Sequence, residues 1–99
     1  MSFYDPEPLC AARFTVTADA FPGLLPRVLE PFAKRDLIPD LVRATREGEV
    51  MRVEVALHAM PLCMVHLVAG NLGQIVGARR VEAMEGRVVR PVVELATAA

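Results

Sequence analysis

The chain has 99 residues, 54% of them hydrophobic, with 11 basic and 12 acidic side chains and a formal net charge of -1. That is the length of one domain with one modest core, and the apolar content is too high for a disordered chain. The near-neutral balance gives no overall pull toward nucleic acid or an anionic membrane, and with no Trp and one Tyr a base-stacking platform is nearly missing.

Residues 1–11 carry Asp5, Pro6, Glu7 and Pro8 with little periodicity and read as a flexible tail. From Ala12 to Ala18 the chain alternates: Ala12, Phe14, Val16 and Ala18 point one way, Arg13, Thr15 and Thr17 the other. That is the pattern of a half-buried strand. Asp19-Ala20-Phe21-Pro22-Gly23 breaks it, and Pro22 suits the first position of a helix, with Phe21 as its cap. Leu25, Val28, Leu29 and Phe32 then form one helical stripe. Pro26 fits a first turn, whereas Pro31 removes a hydrogen bond and crowds the Arg27 carbonyl, so a kink or early end is expected there.

Leu37 to Thr45 reads as a second strand with Pro39 at its edge, and Arg46 to Glu49 as a hairpin turn with Gly48 at positive φ. Val50 to His58 is the clearest strand. Pro61 opens a second helix with Leu62, Val65, Val68, Ala69 and Leu72 toward the sheet. Met64 and Leu67 lie off that stripe and, with Leu24 of the first helix, are expected to face a second subunit. Ile75 to Met84 reads as the last strand, ended by Gly86, and Val88 to Leu95 as an edge strand or docked tail interrupted by Pro91. The division is therefore a tail over 1–11, a domain over 12–85 and a terminal segment over 86–99. The order β-α-β-β-α-β makes an α+β, ferredoxin-like split βαββαβ sandwich, two helices on one face of an antiparallel sheet.

Cys10 and Cys63 make neither a disulfide framework nor a paired metal motif. No charged stretch leads into an apolar one at the start, as a secretory leader would. The charge-free run from Ala56 to Ala78 is long enough to span a bilayer, but it is punctuated by His58, Pro61, His66 and several glycines. A cytoplasmic protein is expected. His58, Cys63 and His66, with Met60 and Met64, could in principle hold a soft metal, but their spacing matches no established ligand set and they read better as packing and surface residues. Cys63 and His66 lack a third group for nucleophilic catalysis. Arg79, Arg80, Arg87 and Arg90 read as a solvated face pairing with Glu82, Glu85 and Glu94. Asp36 and Asp40 form no acid–base pair. No catalytic set, metal or cofactor is expected.

This architecture hosts several chemistries, each with a signature. An RNA reader needs aromatics on its third strand, a metal chaperone needs paired cysteines in its first loop, and an acyl phosphatase needs an arginine and a nest of amides there. None is present in Val50–His58 or Asp19–Gly23. Thr17 to Arg35, TADAFPGLLPRVLEPFAKR, instead resembles the ACT domain, with its strand, its loop ending Pro-Gly-x-Leu and its helix ending Phe-x-x-Arg. Asn71 to Val81, NLGQIVGARRV, Arg13-Phe14 and Arg27-Val28-Leu29 are similar to the regulatory small subunit of acetolactate synthase.

That resemblance, over about residues 12–84, implies a non-catalytic module that binds an amino acid beside the first loop. The site would lie at the interface of a homodimer or higher oligomer, and the module would act on the catalytic subunit of a larger biosynthetic enzyme. The residues alone point to the same loop. A helix start leaves its first amides without partners, and Phe21 cannot cap them, so Gly23, Leu24 and Leu25 need water, Asp19 or a ligand carboxylate. The candidate ligand site is Asp19, Ala20, Phe21, Pro22, Gly23 and Leu24. Two positions depart from the sensing relatives. Ala20 stands where they carry Asp or Asn, and Ile38 where the small-subunit family carries Asn. Each missing polar partner costs a buried ligand about 1–3 kcal/mol. A structural subunit without sensing is the alternative.

Overall fold

The computed structural model describes residues 8–88. Within them the order is β1 Leu9–Asp19, α1 Leu24–Ala33, β2 Leu41–Glu47, β3 Val50–Pro61, α2 Val65–Gly73 and β4 Ala78–Gly86, with a single 3-10 turn at Leu62–Met64 leading into α2. The four strands form one antiparallel sheet in the order β2-β3-β1-β4. Each α-β crossover therefore skips a neighbour, which is the expected ferredoxin-like split βαβ arrangement. The expected edge strand at Val88–Leu95 lies, but for Val88, outside the described residues, as does most of the expected N-terminal tail.

Alternation on the two central strands builds the core. Phe14, Val16 and Ala18 of β1 and Val53 and Val55 of β3 are fully buried beneath Leu24, Val28 and Phe32 of α1 and Val65, Val68 and Leu72 of α2. Phe14 meets Phe32 edge to face with ring centroids 5.3 Å apart, a geometry that adds about 0.5–1.5 kcal/mol to area burial alone.

Two bulges reshape the strands. Between Cys10 and Ala12, β1 advances two residues while β3 advances three, from Leu57 to Met60. The extra residue resets the phase, so Met60 returns to the core at 1% exposure and β3 runs on to Pro61, past His58. β1 correspondingly starts at Leu9, ahead of Ala12. At the other end Thr17 and Ala18 oppose Arg80 and Ala78, leaving Arg79 as the extra residue on β4.

Helix α1 departs from its expected phase. Phe21-Pro22-Gly23-Leu24 is a β-turn with the Leu24 amide donating to the Phe21 carbonyl at 3.1 Å, and Gly23 at φ -92, ψ 6 takes the third position of a type I turn. The helix thus begins at Leu24 rather than Pro22. Leu24, expected to point outward to a partner, is fully buried, and Leu25 is the more exposed of the two at 38%. The buried stripe is Leu24, Val28, Pro31 and Phe32. Pro31 does not end the helix: it lies inside, buried, and the helix continues to Ala33.

The exit is a Schellman motif. The Asp36 amide donates to the Ala33 carbonyl at 3.1 Å and the Leu37 amide to the Phe32 carbonyl at 2.9 Å, with Asp36 at φ 55. Residues 36–40 are spent on this exit, so β2 starts at Leu41 and not at Leu37. Asp40 ties the entry to β3: its amide donates to the Ala56 carbonyl at 2.8 Å, and its Oδ2 accepts the His58 amide at 2.6 Å. Gly48, as expected, has positive φ, at 62°, and β2 and β3 join through the two residues Gly48-Glu49. Positive φ at the first of these alone matches a type II′ hairpin.

Candidate ligand site at the first loop

β1 leaves the sheet at Asp19, and two backbone bonds fix the loop that follows. The Asp19 amide donates to the Gly77 carbonyl at 2.9 Å, and the Ala20 amide to the Glu49 carbonyl at 2.8 Å. The loop is thereby tied to the β2–β3 hairpin on one side and to the entry of β4 on the other. Gly77, at φ 95, has a backbone conformation that strains any residue with a side chain, while a Cβ there would make only ordinary contacts, 3.4 Å from the Asp19 Cβ and 3.6 Å from the Phe21 ring.

No side chain caps α1. Asp19, the internal candidate, is turned away. Arg79 Nε and Nη2 both reach its Oδ1, at 2.7 and 2.6 Å. The β4 bulge makes this possible, because the extra residue re-aims the Arg79 side chain toward the loop. The expected set of bare amides is corrected at Leu24, whose N–H is taken by the Phe21 carbonyl; the Gly23 and Leu25 amides remain, with no carboxylate among the described residues placed on them.

Beside the loop is a cavity of about 440 Å³ lined by Ala20, Phe21, Pro22, Leu25, Arg46 and Met51. Arg46 and Met51 are opposite each other in the β2–β3 ladder, on the helix side of the sheet. The Arg46 guanidinium donates through Nε to the Gly48 carbonyl at 2.8 Å and makes no ion pair among the described residues. A cation, a helix start and an apolar wall of Phe21, Leu25 and Met51 face one space. They can hold a small molecule with a carboxylate at one end and an apolar part at the other. Arg46 brings the cavity to β2, whose seven residues are all exposed, including Leu41 at 38% and Val42 at 44%.

Of the expected site residues, Ala20, Phe21 and Pro22 line this cavity. Asp19 braces the loop through Arg79, and Gly23 is the N-cap. Leu24 contributes backbone only, because its side chain is in the core. Arg46, Met51 and Leu25 were not expected. For Arg46 the signal was present: carrying the β2 alternation two residues on from Ala44 sets it against Met51. Of the expected interface residues, Leu67 is exposed at 55%, whereas Met64 packs partly against the core.

Elsewhere the charged groups pair locally. On the open sheet face Glu54 lies 3.6 Å from Arg13, 3.9 Å from Arg43 and 4.0 Å from Arg52, and Arg80 pairs with Glu82 at 3.0 Å. Arg90 and Glu94 lie outside the described residues. Among the described residues no three His, Cys, Asp or Glu side chains gather as a metal site. His58 sits 3.7 Å from Asp40, and Met60 faces the core. The thiol of buried Cys10 is held above its ordinary pKa, by burial first and by the nearby Glu85 charge second. Among the described residues no helix is long and apolar enough to cross a membrane.

The family model for an ACT-like domain matches residues 5–87. The chain belongs to the ACT-like domain family. No curated protein matches it. Among solved structures this ACT-like domain is similar to an uncharacterised protein from Thermotoga maritima, at a TM-score of 0.65 and 16% identity over 79% of this chain and 98% of that one. At that identity the likeness speaks for the fold alone.

Proposed function

We propose that this ACT-like domain is a non-catalytic regulatory module that binds an amino acid at the first loop and modulates a larger biosynthetic enzyme. The observation that carries the reading is the convergence of the uncapped α1 start with Arg46 on one cavity, while Asp19 is held away by Arg79. An α-carboxylate would sit between the first-turn amides and the Arg46 guanidinium, with the side chain against Phe21, Leu25 and Met51. The apolar wall favours a branched-chain or similar amino acid, in line with the resemblance to the acetolactate synthase small subunit. The β2 edge, unpaired among the described residues and exposed along its length, supports a homodimer in which a second copy extends the sheet beside the cavity.

Calorimetric titration and thermal shift with the twenty amino acids test the reading. A saturable response to one or a few apolar amino acids, lost in Arg46→Ala, is expected. Silence across all twenty would remove the sensing function. One observation favours a second reading, a structural subunit without sensing: Ala20 gives the cavity no side-chain acceptor for a ligand ammonium. That reading expects co-purification with a large enzyme whose activity ignores amino acids.

A further inference from the structure

A second cavity, of about 590 Å³, lies farther along α1. It runs between α1 and the end of α2 and shares no lining residue with the first-loop cavity. One wall is α1 and its exit, with Arg27, Glu30, Pro31, Lys34 and Arg35 at spacings of three, four, seven and eight, the period of one helical face. The other is Asn71 and Gln74, with Ile75 packed against the core beneath and the exposed Val76 at the rim.

Its polar groups are donors in excess. Three cations face one carboxylate. The Arg27 guanidinium lies over the Phe21 ring, 5.5 Å from its centroid, and pairs with no carboxylate among the described residues. Among the described residues the Arg35 guanidinium donates to the Pro31 carbonyl alone, at 3.3 Å. Lys34 and Glu30, 3.8 Å apart, are both well exposed, so solvent screens that pair strongly. Neither carboxamide side chain, of Asn71 or of Gln74, has a partner among the described residues. Lys34 and Arg35 stand at the helix exit, where cations answer the terminal carbonyls. Arg27 stands two turns earlier, where the helix end does not call for one.

We propose that this cleft binds a small oxyanion of charge -2 or more, either a phosphomonoester or a compact di- or tricarboxylate. The guanidiniums of Arg27 and Arg35 would fork onto its oxygens, and Asn71 and Gln74 would donate to the remainder. The shared chemistry is two or more anionic oxygens within the span of the cleft, with a short carbon skeleton against Ile75.

Nitrogen-15 NMR titration of the full chain tests this, with inorganic phosphate in one arm, citrate in a second and sodium chloride of matched ionic strength in a third. The side-chain amide signals of Asn71 and Gln74 shift saturably with phosphate, citrate or both. Chloride does not move them. The pair Arg27→Gln and Arg35→Gln weakens the response by at least about tenfold, while Arg52→Gln on the opposite sheet face leaves it unchanged. A response to phosphate alone identifies the phosphomonoester class, and one to citrate alone the carboxylates. No saturable shift in either anion arm, or an equal response in the double variant that remains folded by its spectrum, overturns the proposal. Amino-acid titrations read the first-loop cavity independently, so failure of one site leaves the other standing.

Discussion

The rotation of α1 by one residue is open to a direct energetic test with Leu24→Ala and Leu25→Ala. Both substitutions delete the same three methylene-sized groups, each with a transfer energy of about 0.8 kcal/mol. Leu24 is fully buried beneath the sheet, so its truncation also leaves a cavity. The total should reach about 3 kcal/mol, within the usual range for a buried leucine. Leu25 keeps 38% of its surface exposed and opens on a solvent-filled space, so only part of the transfer energy is at stake and no closed void forms. About 1–1.5 kcal/mol is expected. In a domain of this size the gap between the two corresponds to roughly 6–15 °C in Tm. Urea unfolding of both variants measures it, with unchanged m-values as the check on two-state behaviour. Leu25→Ala should nevertheless weaken amino-acid binding, because Leu25 is a wall of the first-loop cavity. Equal costs, or a larger cost at Leu25, would refute the helix phase and with it the assignment of that wall.

Three further outcomes follow from particular residues. Asp36→Gly should raise stability by about 0.5–1 kcal/mol in urea unfolding, because φ 55 strains any Cβ-bearing residue and the Schellman bonds use backbone only. Cys10 holds its proton longer in the folded chain than in the unfolded one, so the unfolded state has lost more protons above the ordinary thiol range. Stability should therefore fall as pH rises through that range, and Cys10→Ser or Cys10→Ala should flatten the fall in a pH series of unfolding curves. Gly77→Ala should disturb the Asp19–Phe21 loop more than the sheet. Amide shifts are expected to concentrate at residues 19–25, with amino-acid binding weakened.

The two central strands were legible in the sequence because alternation is unambiguous wherever one face is buried and the other is not: Phe14 and Val16 against Thr15, Val53 and Val55 against Glu54. The α1 stripe was not, because Leu24 and Leu25 are adjacent and a helix starting at Pro22 or at Leu24 fits the same apolar residues. The turn that decides between them depends on the Phe21 carbonyl, which no side-chain pattern reports. Pro31 was expected to break the helix on propensity. Burial of its ring beside Val28 and Phe32 overrides that preference here. The bulges were invisible as well, since they are set by the register between strands, and with them went the turn of Arg79 onto Asp19. The first loop was singled out by the resemblance and by the amides a helix start leaves without partners, of which the turn satisfies that of Leu24, and Arg46 was hidden in what read as a turn.

The most direct measurement is the chemical shift of the Gly23 and Leu25 backbone amides and of Arg46 Nε–H as the twenty amino acids are added in turn. The account predicts that for at least one apolar amino acid these signals move together and saturate, in wild type but not in Arg46→Ala. If an amino acid binds while these three signals stay still, the carboxylate lies elsewhere and the central claim is contradicted.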